Sequence, residues 1–332
     1  MSNQRTFSLN FREFDPSDYE RLVGIYNANY PDYTISVAER RSRDESLDRS
    51  KFLLKRFTCF DREADAIVGF GEISHLTDMF HPRKFMANII VDPERQRRGV
   101  GSAIYDRLNK ELVNLNAIII WTMTKEDLNQ RIDFFQRRGF REKTRNWESR
   151  LDLSRADPEA FRKYVEKATR EGISFTTLAL EQHHGQDSLK KIHELVQLIT
   201  ADMPREAPFT PISYEQWEAL SLRNPRLIPE GYMIAKDGLE YVGMSNVHRS
   251  DTEPQTLLQD DTGVRREYRG RGIATALKLK VIEFGKTNGY ETVKTWNDST
   301  NAPMLAVNTK LGFKRQVGWI MMEKILHSES SG

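Results

Sequence analysis

The chain has 332 residues, more than one average domain holds, so its length predicts two domains. Its 50 lysines and arginines balance 48 aspartates and glutamates, which argues against a bulk polyanion such as nucleic acid as partner. A hydrophobic content of 38% is enough for packed cores, and the single cysteine, Cys59, excludes a disulfide framework and a four-cysteine metal site.

The N-terminal stretch MSNQRTFSLNFREF contains no apolar segment typical of a signal peptide. No stretch approaches the ~18 apolar residues of a membrane span. We therefore expect a cytoplasmic protein, a monomer or homodimer, with neither a membrane nor a nucleic acid as partner. No set of residues predicts a metal site.

In chain order, the first half predicts a strand, two helices, three strands in hairpin order, a helix, a strand, a helix and a final strand or hairpin. Asp15 is the expected cap of the first helix, with Pro16 in its first turn. Residues 153–171 predict a charged helical connector, and the second half repeats the order. This order predicts an α+β layered fold in which each half has a mixed, mostly antiparallel central sheet with helices on both faces.

The two halves also share sequence. VDPERQRRGVGSAIYDRL begins at Val91 and VRREYRGRGIATALKLKV begins at Val264, an offset of 264 − 91 = 173. Gly139 and Gly312 are separated by the same 312 − 139 = 173 residues, so the interval needs no insertion. A repeat of this length indicates a gene duplication, and we predict domains over 1–152 and 172–332.

Both repeats place a basic run and glycines before a helix. The first turn of a helix leaves backbone N–H groups unpaired and carries a partial positive charge. Gly99, Gly101, Gly270 and Gly272 remove the side chains that would keep an anion away from these groups. The lysine of a P-loop is missing, and Ile104 stands where a dinucleotide motif needs its third glycine. The pattern predicts a diphosphate site in each half; the alternative is a solvated basic turn.

This glycine step carries a resemblance to a known family. Gln96-Arg97-Arg98-Gly99-Val100-Gly101 and Arg269-Gly270-Arg271-Gly272-Ile273-Ala274 are similar to the Q/R-x-x-G-x-G/A acyl-CoA signature of the GNAT superfamily of N-acyltransferases. The segments FFQRRGF at 134–140 and MLAVNTKLGF at 304–313 resemble its second signature, an apolar helix that ends in LGF. The resemblance covers nearly the whole chain as two tandem GNAT-type domains, an arrangement similar to mycothiol synthase-like acetyltransferases.

The resemblance implies acetyl-CoA as the cofactor and an amine acceptor, which we expect to be a small molecule, attacking the thioester directly. In the family, the strand before the basic turn supplies a backbone N–H for the oxyanion, and the pantetheine arm pairs with this strand. The residues that the resemblance assigns to cofactor binding are Ile90, Val91, Gln96, Arg97, Arg98, Gly99, Val100, Gly101, Ser102, Gly263, Val264, Arg269, Gly270, Arg271, Gly272, Ile273, Ala274, Asn301 and Asn308.

A base must take a proton from the acceptor ammonium before the amine attacks. Glu72 is a carboxylate on an apolar strand, where desolvation would raise its pKa; the alternative is a salt bridge at a strand edge. Asp260 and Asp261 precede the second cofactor-binding strand end, and we expect Asp261 to share a strand face with Gln259. The alternative for Asp261 is an ordinary turn or bulge residue.

The family usually places a tyrosine, which protonates the leaving thiolate, four residues before the glycine of its GF pair. Phe135 and Asn308 occupy these positions, so this acid is absent from both halves. Asn308 can still hydrogen-bond the sulfur or a pantetheine amide and is the third catalytic candidate, while His75 and His248 end equivalent strands. The sequence predicts an N-acetyltransferase, with an acyl-CoA-binding or regulatory protein, degenerate in one or both sites, as the alternative.

Overall fold

The computed structural model describes residues 8–205 and 207–327, which divide into two compact units. The first unit contains Leu128–Lys143 and the described parts of Met1–Thr124 and Met321–Gly332. The second contains Lys125–Asp127 and the described parts of Thr144–Ile320. Each unit therefore includes a segment from the other half of the sequence. The contiguous domains 1–152 and 172–332, with their connector 153–171, describe the sequence repeat and stay a prediction.

The first unit has a sheet in which the last strand of the chain lies beside the fifth. Its strands are β1 (Leu9–Glu13), β2 (Leu54–Asp61), β3 (Ala66–Ser74), β4 (Lys84–Val91), β5 (Ile119–Lys125) and, from Met321 on, β13 (Trp319–Ile325). They follow the order β1-β2-β3-β4-β5-β13. The strands β1 to β4 pair antiparallel, whereas β4 and β5 pair parallel.

The second unit has a sheet of the same kind. Its strands are β6 (Arg141–Asp152, from Thr144 on), β7 (Ile173–Thr177), β8 (Met233–Asp237), β9 (Glu240–Arg249), β10 (Thr256–Val264), β11 (Thr292–Asp298) and β12 (Lys314–Arg315). The order is β6-β11-β10-β9-β8-β7, with β12 paired to β6. Only the pairing of β10 with β11 is parallel among these described strands.

Ten α-helices of the described residues accompany these strands. They are α1 (Tyr19–Asn29), α2 (Val37–Glu45), α3 (Val100–Asn114), α4 (Asn129–Gln136), α5 (Arg162–Arg170), α6 (Leu178–Gln182), α7 (Gln186–Ala201), α8 (Tyr214–Trp217), α9 (Ile273–Thr287) and α10 (Ala302–Lys310). Asp15 caps the short 3₁₀ turn that leads into α1, where it accepts the backbone N–H of Ser17, whereas the residue at the N-cap of α1 itself is Asp18. None of the described helices is both long and apolar enough to cross a bilayer.

In the first unit, the sheet carries helices on both faces. On one face, Leu22 and Ile25 of α1 pack with Phe70 of β3. On the other face, α3 approaches β3 so closely that a Cβ atom on Gly71 would lie 2.7 Å from Cγ2 of Ile104. Only a glycine allows this approach, so the sequence of β3 fixes how deeply α3 packs.

In the second unit, two separate clusters mark the two faces of the sheet. Leu277 of α9 packs with Val247 of β9 in one cluster, which also contains Leu311 and Phe313 at the end of α10. Met244 of β9 packs with α7 in the other cluster. The helices α9 and α10 thus share one face, and α6, α7 and α8 cover the opposite face. The predicted fold class, a mixed and mostly antiparallel sheet between helices, is confirmed in both units.

Candidate active site

Each unit has a helix that begins at a glycine in the left-handed conformation. Gly99 caps α3 with φ = 85°, and Gly272 caps α9 with φ = 86°. A residue with a Cβ atom is strained in this conformation, whereas glycine is not. The predicted diphosphate residues therefore lie at two helix N-termini, where unpaired N–H groups attract anions. The first residues of these helices, Val100 and Ile273, are buried and offer only their backbone to such an anion.

The surroundings of the two glycines differ. A Cβ atom on Gly99 would meet no described atom within 4 Å, whereas one on Gly272 would lie 2.8 Å from Cδ1 of Tyr164. Tyr164 belongs to α5, and its hydroxyl accepts a hydrogen bond of 3.1 Å from Lys310 Nζ. Nearby, Arg271 donates to Glu171 over 3.1 Å. An aromatic ring and charged side chains thus border the second helix start, while the first is open.

The predicted basic residues of the turn take different positions. Gln96 Nε2 donates to Oδ1 of Asn29 at 2.9 Å and, at 3.3 Å, to the carbonyl of the last residue of β4. In the second unit, Arg269 makes the same two contacts, donating to Oδ2 of Asp202 at 2.7 Å and to the carbonyl that ends β10 at 3.1 Å. Arg97 and Arg98 are exposed. Gln96 and Arg269 therefore fix the turn to the strand end in both copies.

In both units, the parallel strands part before they end. Met86–Trp121 is the last paired row of β4 and β5, although β4 continues to Val91. Gln259–Thr295 is the last paired row of β10 and β11, although β10 continues to Val264. Four residues predicted to contact the acyl-CoA lie in these parted segments: Ile90, Val91, Gly263 and Val264. An extended chain such as a pantetheine arm fits between parted strands, because each edge presents unpaired backbone groups.

The gap of the first unit already contains a protein side chain. Arg131 of α4 donates from Nη1 to the carbonyl of Ile89 at 2.7 Å, within the parted part of β4. Its Nε is buried and has no hydrogen-bond partner among the described residues. Sequence reasoning missed Arg131, because nothing in a helical FFQ segment indicates that the residue reaches back to a strand.

Glu72 lies in a network of ion pairs rather than alone among apolar residues. Arg40 donates to its Oε2, and so does Arg56, whose Nε lies 2.7 Å away. Arg56 also pairs with Asp44 at 2.8 Å and is 6% exposed. The expected rise in the pKa of Glu72 is wrong: burial favours a rise, but the charges of Arg40 and Arg56 hold the pKa below its usual range. The salt-bridge alternative describes the observed geometry.

A β-bulge sets the direction of Asp260 and Asp261. The register of β10 with β9 shifts between Gln259 and Thr262, and both of these side chains bond to Ser245, at 2.8 and 2.7 Å. The expectation that Asp261 shares a face with Gln259 is therefore wrong, because the extra residue inverts the alternation.

The carboxylates of Asp260 and Asp261 lie on the side of the sheet that α7 covers. Burial raises the pKa of Tyr232, and the charges of Asp261 and Asp260 raise it further. Tyr232 belongs to the cluster that contains α7 and Met244. The carboxylates are therefore on the face opposite to α9, whose N-terminus is the predicted diphosphate site.

Next to the carboxylates, the same face holds an amide and an imidazole. His248 Nε2 lies 3.7 Å from Asp260 Oδ2 and 3.4 Å from Asn246 Nδ2. Asn246 is 8% exposed, and its Oδ1 and His248 Nδ1 are buried without a hydrogen-bond partner among the described residues. Although the protein partly desolvates Asp260, the hydrogen bond and charge of His248 hold its pKa below the usual range. Sequence reasoning did not select Asn246.

Asn308 and Asn301 lie on α10 and at its start. Asn308 is 2% exposed; its Nδ2 donates to Oδ1 of Asn297 at 2.6 Å, and its own Oδ1 has no partner among the described residues. Asn301 caps α10 by accepting the N–H of Met304 at 3.3 Å. In the first unit, Ser102 accepts a hydrogen bond of 2.8 Å from Arg138. Of these predicted ligands, Asn308 keeps a buried acceptor available.

No group of three or more His, Cys, Asp or Glu residues within 8–205 and 207–327 has the geometry of a metal site.

Comparisons with known proteins agree with this architecture. The family model described as Acetyltransferase (GNAT) family matches residues 20–140 and 192–313. An uncharacterised N-acetyltransferase from Methanocaldococcus jannaschii is 38% identical over 61 residues, which is 18% of this chain and 27% of that protein. The chain thus spans about a quarter of the length of this curated relative.

Two solved structures share the fold over nearly the whole chain. The crystal structure of a GCN5-related N-acetyltransferase from Sphaerobacter thermophilus matches with a TM-score of 0.70 and 16% identity, covering 99% of this chain and 98% of that chain. A tandem GNAT protein from the clavulanic acid biosynthesis pathway matches with a TM-score of 0.71 and 18% identity, covering 97% of this chain and 100% of that chain. At such low identity, the structures support the fold alone.

The family model covers most of the chain, and it matches twice, once in each copy of the glycine step. These matches, together with the two glycine-capped helices beside parted parallel strands, show that the chain belongs to the GNAT family of acetyltransferases, with two copies of the family's domain in tandem.

Proposed function

We propose that this chain is an acetyl-CoA-dependent N-acetyltransferase whose second unit transfers the acetyl group to the amine of a small molecule. The observation that carries this proposal is the meeting of two features in that unit: the gap between β10 and β11, and the cluster of Asp260, Asp261, His248 and Asn246 beside it.

The residues of the second unit fit an acyl-CoA. The N-terminus of α9 would hold the diphosphate through backbone N–H groups, because a Cβ atom on Gly270 would meet nothing within 4 Å and Gly272, beside Tyr164, has no side chain that would cover the first turn. The free Oδ1 of Asn308 would accept an amide N–H of the pantetheine arm. Acetyl-CoA supplies the activated thioester carbonyl; the remaining work belongs to the side chains of the chain.

The opposite face fits the acceptor. An amine arrives as an ammonium ion, and Asp260 and Asp261 provide the negative charge that attracts it. Asp261 would accept the proton that the ammonium must lose, directly or through water, with His248 within reach of the same carboxylate pair. The backbone N–H groups of Gly263 and Val264 lie in the parted segment, where an oxyanion needs donors.

The first unit fits binding better than turnover. The carboxylate of Glu72 is neutralised by two arginines, and the gap between β4 and β5 contains the guanidinium of Arg131. Phe135 replaces the acidic tyrosine and is 2% exposed. In this proposal the first unit has lost the transfer reaction and the second unit keeps it. The chain would then combine the two functions that the sequence left open, an N-acetyltransferase and an acyl-CoA-binding protein.

The test separates the two units with matched variants. Gly99→Glu and Gly272→Glu each place a carboxylate at a left-handed helix start, but only the Gly272 variant also brings a Cβ atom to 2.8 Å from Tyr164. Gly272→Ala, which makes this contact without the charge, separates the clash from the effect of the carboxylate. We expect Gly272→Glu to abolish the release of CoA thiol from acetyl-CoA in the presence of amino sugars, amino acids and polyamines as acceptors. Gly99→Glu should keep at least a third of the wild-type rate.

Calorimetric titration of each variant with acetyl-CoA shows whether the loss is a loss of binding, and circular dichroism shows whether the variant is folded. Equal loss of turnover in both variants, or loss in Gly99→Glu alone, would overturn the assignment of the reaction to the second unit. A wild-type chain that binds no acetyl-CoA would overturn the proposed function as a whole.

A further inference from the structure

A buried lysine lies in the core of the second unit. Lys278, in the middle of α9, is 1% exposed. Its Nζ donates to Oε1 of Gln259 and lies 4.9 Å from the centre of the Phe313 ring. No described carboxylate lies within ion-pair distance of this amine. Burial lowers the pKa of Lys278 to about 7, so the amine gains or loses a proton near neutral pH. Burying an unpaired ammonium lowers the stability of the folded chain, so an apolar residue at this position would be more stable.

This amine lies next to the gap between β10 and β11. Gln259, its hydrogen-bond acceptor, forms with Thr295 the last paired row of β10 and β11. The strands part directly after this row, so Lys278 lies at the closed end of the gap. A chain that enters between the parted strands from the N-terminus of α9 ends at this row.

The second element at the closed end is the amide of Asn308. Asn297 on β11 lies two residues beyond Thr295, on the same face, and it binds Asn308 Nδ2. The helices that carry Lys278 and Asn308 share one face and one hydrophobic cluster, which contains Leu277, Leu311 and Phe313. The family position of the thiol acid is thus filled by an asparagine that cannot donate a proton to a thiolate, with a titratable amine on the neighbouring helix.

The other polar and charged side chains around the closed end either do not titrate near neutral pH or lie on the opposite face of the sheet. Ser245, Thr262 and Gln259, which form the hydrogen-bonded row beneath Lys278, do not titrate near neutral pH. The opposite face carries Asp260, Asp261 and His248. Lys294 also lies on that face, because its neighbour Val293 belongs to the cluster with α9; the Nζ of Lys294 pairs with Glu253. Among the described residues, Lys278 provides a titratable amine on the α9 side of the closed end.

The first unit lacks the whole arrangement. At an offset of 173 residues, Tyr105 corresponds to Lys278, Met86 to Gln259 and Phe135 to Asn308. Met86 also lies in the last paired row of its gap, so the correspondence holds in the structure. The amine, its amide partner and the asparagine occur together only in the unit that carries the paired carboxylates.

We propose that Lys278 is the proton donor to the leaving thiolate in the second unit, in place of the tyrosine that the family places on the next helix. When the amide forms, the C–N bond is made and the C–S bond breaks, and its electron pair goes to sulfur. An N–H proton of the Lys278 ammonium goes to that sulfur, which leaves as the thiol. The proton released by the acceptor on the opposite face passes to solvent, and Lys278 takes a proton from solvent before the next cycle. This inference rests on the proposed transfer reaction.

The decisive experiment needs no acceptor, because the product thiol reports on the amine. CoA and desulfo-CoA, which lacks the sulfur, are titrated calorimetrically at pH 6, 7.5 and 9 into the Gly99→Glu chain, in which only the second site is intact. A Lys278 ammonium beside the sulfur stabilises bound thiolate, so we expect CoA to bind on the order of tenfold more tightly than desulfo-CoA at pH 7.5. The preference should shrink at pH 9, where the amine is neutral. Lys278→Met should remove this preference and leave the affinity for desulfo-CoA within about threefold.

Lys294→Met is the matched control. It replaces another buried lysine of the same unit, 3% exposed, whose side chain lies on the opposite face. We expect it to keep the CoA preference and its pH dependence. The turnover of Lys278→Met should fall on the order of 10²-fold, the usual effect of losing an acid, with an unchanged KM for acetyl-CoA. A CoA preference that survives in Lys278→Met overturns the role of Lys278, even where the chain binds acetyl-CoA and transfers it. Absence of acetyl-CoA binding overturns this role together with the proposed function.

Discussion

The two copies of the GNAT domain share the same backbone features but differ in the side chains around them. Both have a glycine-capped helix, parted parallel strands and a side chain that fixes the turn to the strand end. Around the gap, however, the first unit has Arg131 and a neutralised Glu72, whereas the second has Asp260, His248 and Lys278. Duplication thus preserved the glycine-capped helix starts and the parted strands, while the side chains around them diverged.

This difference follows from what each device needs. A glycine at positive φ and a strand that parts from its neighbour are backbone features, and they persist as long as a few positions keep small residues. Proton transfer needs particular ionisable groups within reach of the reacting atoms, and a single substitution such as phenylalanine for tyrosine removes it. Four substitutions test this difference between the two units.

The largest effect is expected from the network around Glu72. Arg56→Met leaves Asp44 and Glu72 close together with only Arg40 to neutralise them, so we expect the chain to lose about 3–5 kcal/mol of unfolding free energy in urea. Arg137→Met, which removes an ion pair of 3.9 Å between side chains 80% and 59% exposed, should change it by less than about 0.5 kcal/mol.

The same network predicts a pH dependence. Its arginines lower the pKa of Glu72 below the usual 4.5, so its stabilisation is complete above pH 4.5 and is lost as the pH falls through the lowered value. Arg56→Met should weaken this acid-side dependence, because only Arg40 then lowers the pKa of Glu72. If Arg56→Met and Arg137→Met have equal stabilities, the network is not what holds the first unit together.

The next effect concerns the transfer rate. Asp261→Asn removes the proposed proton acceptor of the second unit while keeping its size, and we expect the rate of CoA thiol release to fall on the order of 10²-fold. Glu72→Gln, which changes the carboxylate predicted as the base of the first unit, should leave the rate per folded molecule within twofold. Rates are normalised to the folded fraction because Glu72→Gln also weakens the ion-pair network. A larger loss in Glu72→Gln would place the reaction in the first unit.

A smaller effect should appear in the stability of Lys278→Met. Because burial lowers the pKa of Lys278 from 10.5 to about 7, the unfolded chain binds more protons between these values, and wild-type stability rises with pH there. Below pH 7 the full penalty of the buried ammonium remains. We expect Lys278→Met to be more stable than the wild type by about 2 kcal/mol at pH 6 and by much less at pH 10, measured by urea unfolding at both. An advantage that does not change with pH would mean that the amine is not titrating in the core.

The smallest effect is expected from the pair that fixes the turn. Gln96 with Asn29 is neutral, whereas Arg269 with Asp202 is charged and lies near the surface. Asp202→Asn should cost at most about 1 kcal/mol, and added salt should reduce this cost. Asn29→Ala in the first unit should show no salt dependence. A cost for Asp202→Asn that is equal at low and high salt would mean that shape rather than charge holds the turn.

Local sequence patterns were enough to predict the main backbone features of this protein. The repeat at an offset of 173 residues, the glycine steps and the apolar periodicity predicted two layered domains and the places of both anion sites, because left-handed glycines, helix starts and amphipathic faces are local properties. The asparagine and phenylalanine at the acid position were also readable, since a fixed spacing defines that position.

Only the tertiary structure decided which side chains meet. The pKa of Glu72 is low because Arg40 and Arg56 reach it from α2 and β2, and no property of β3 alone contains that information. The bulge turned Asp261 away from Gln259, since one extra residue inverts a strand's alternation without a sequence signal. The sequence analysis did not select Lys278, because its place at the closed end of the gap depends on where β10 parts from β11. Long-range contacts set the charge and burial of a side chain, and therefore its chemistry.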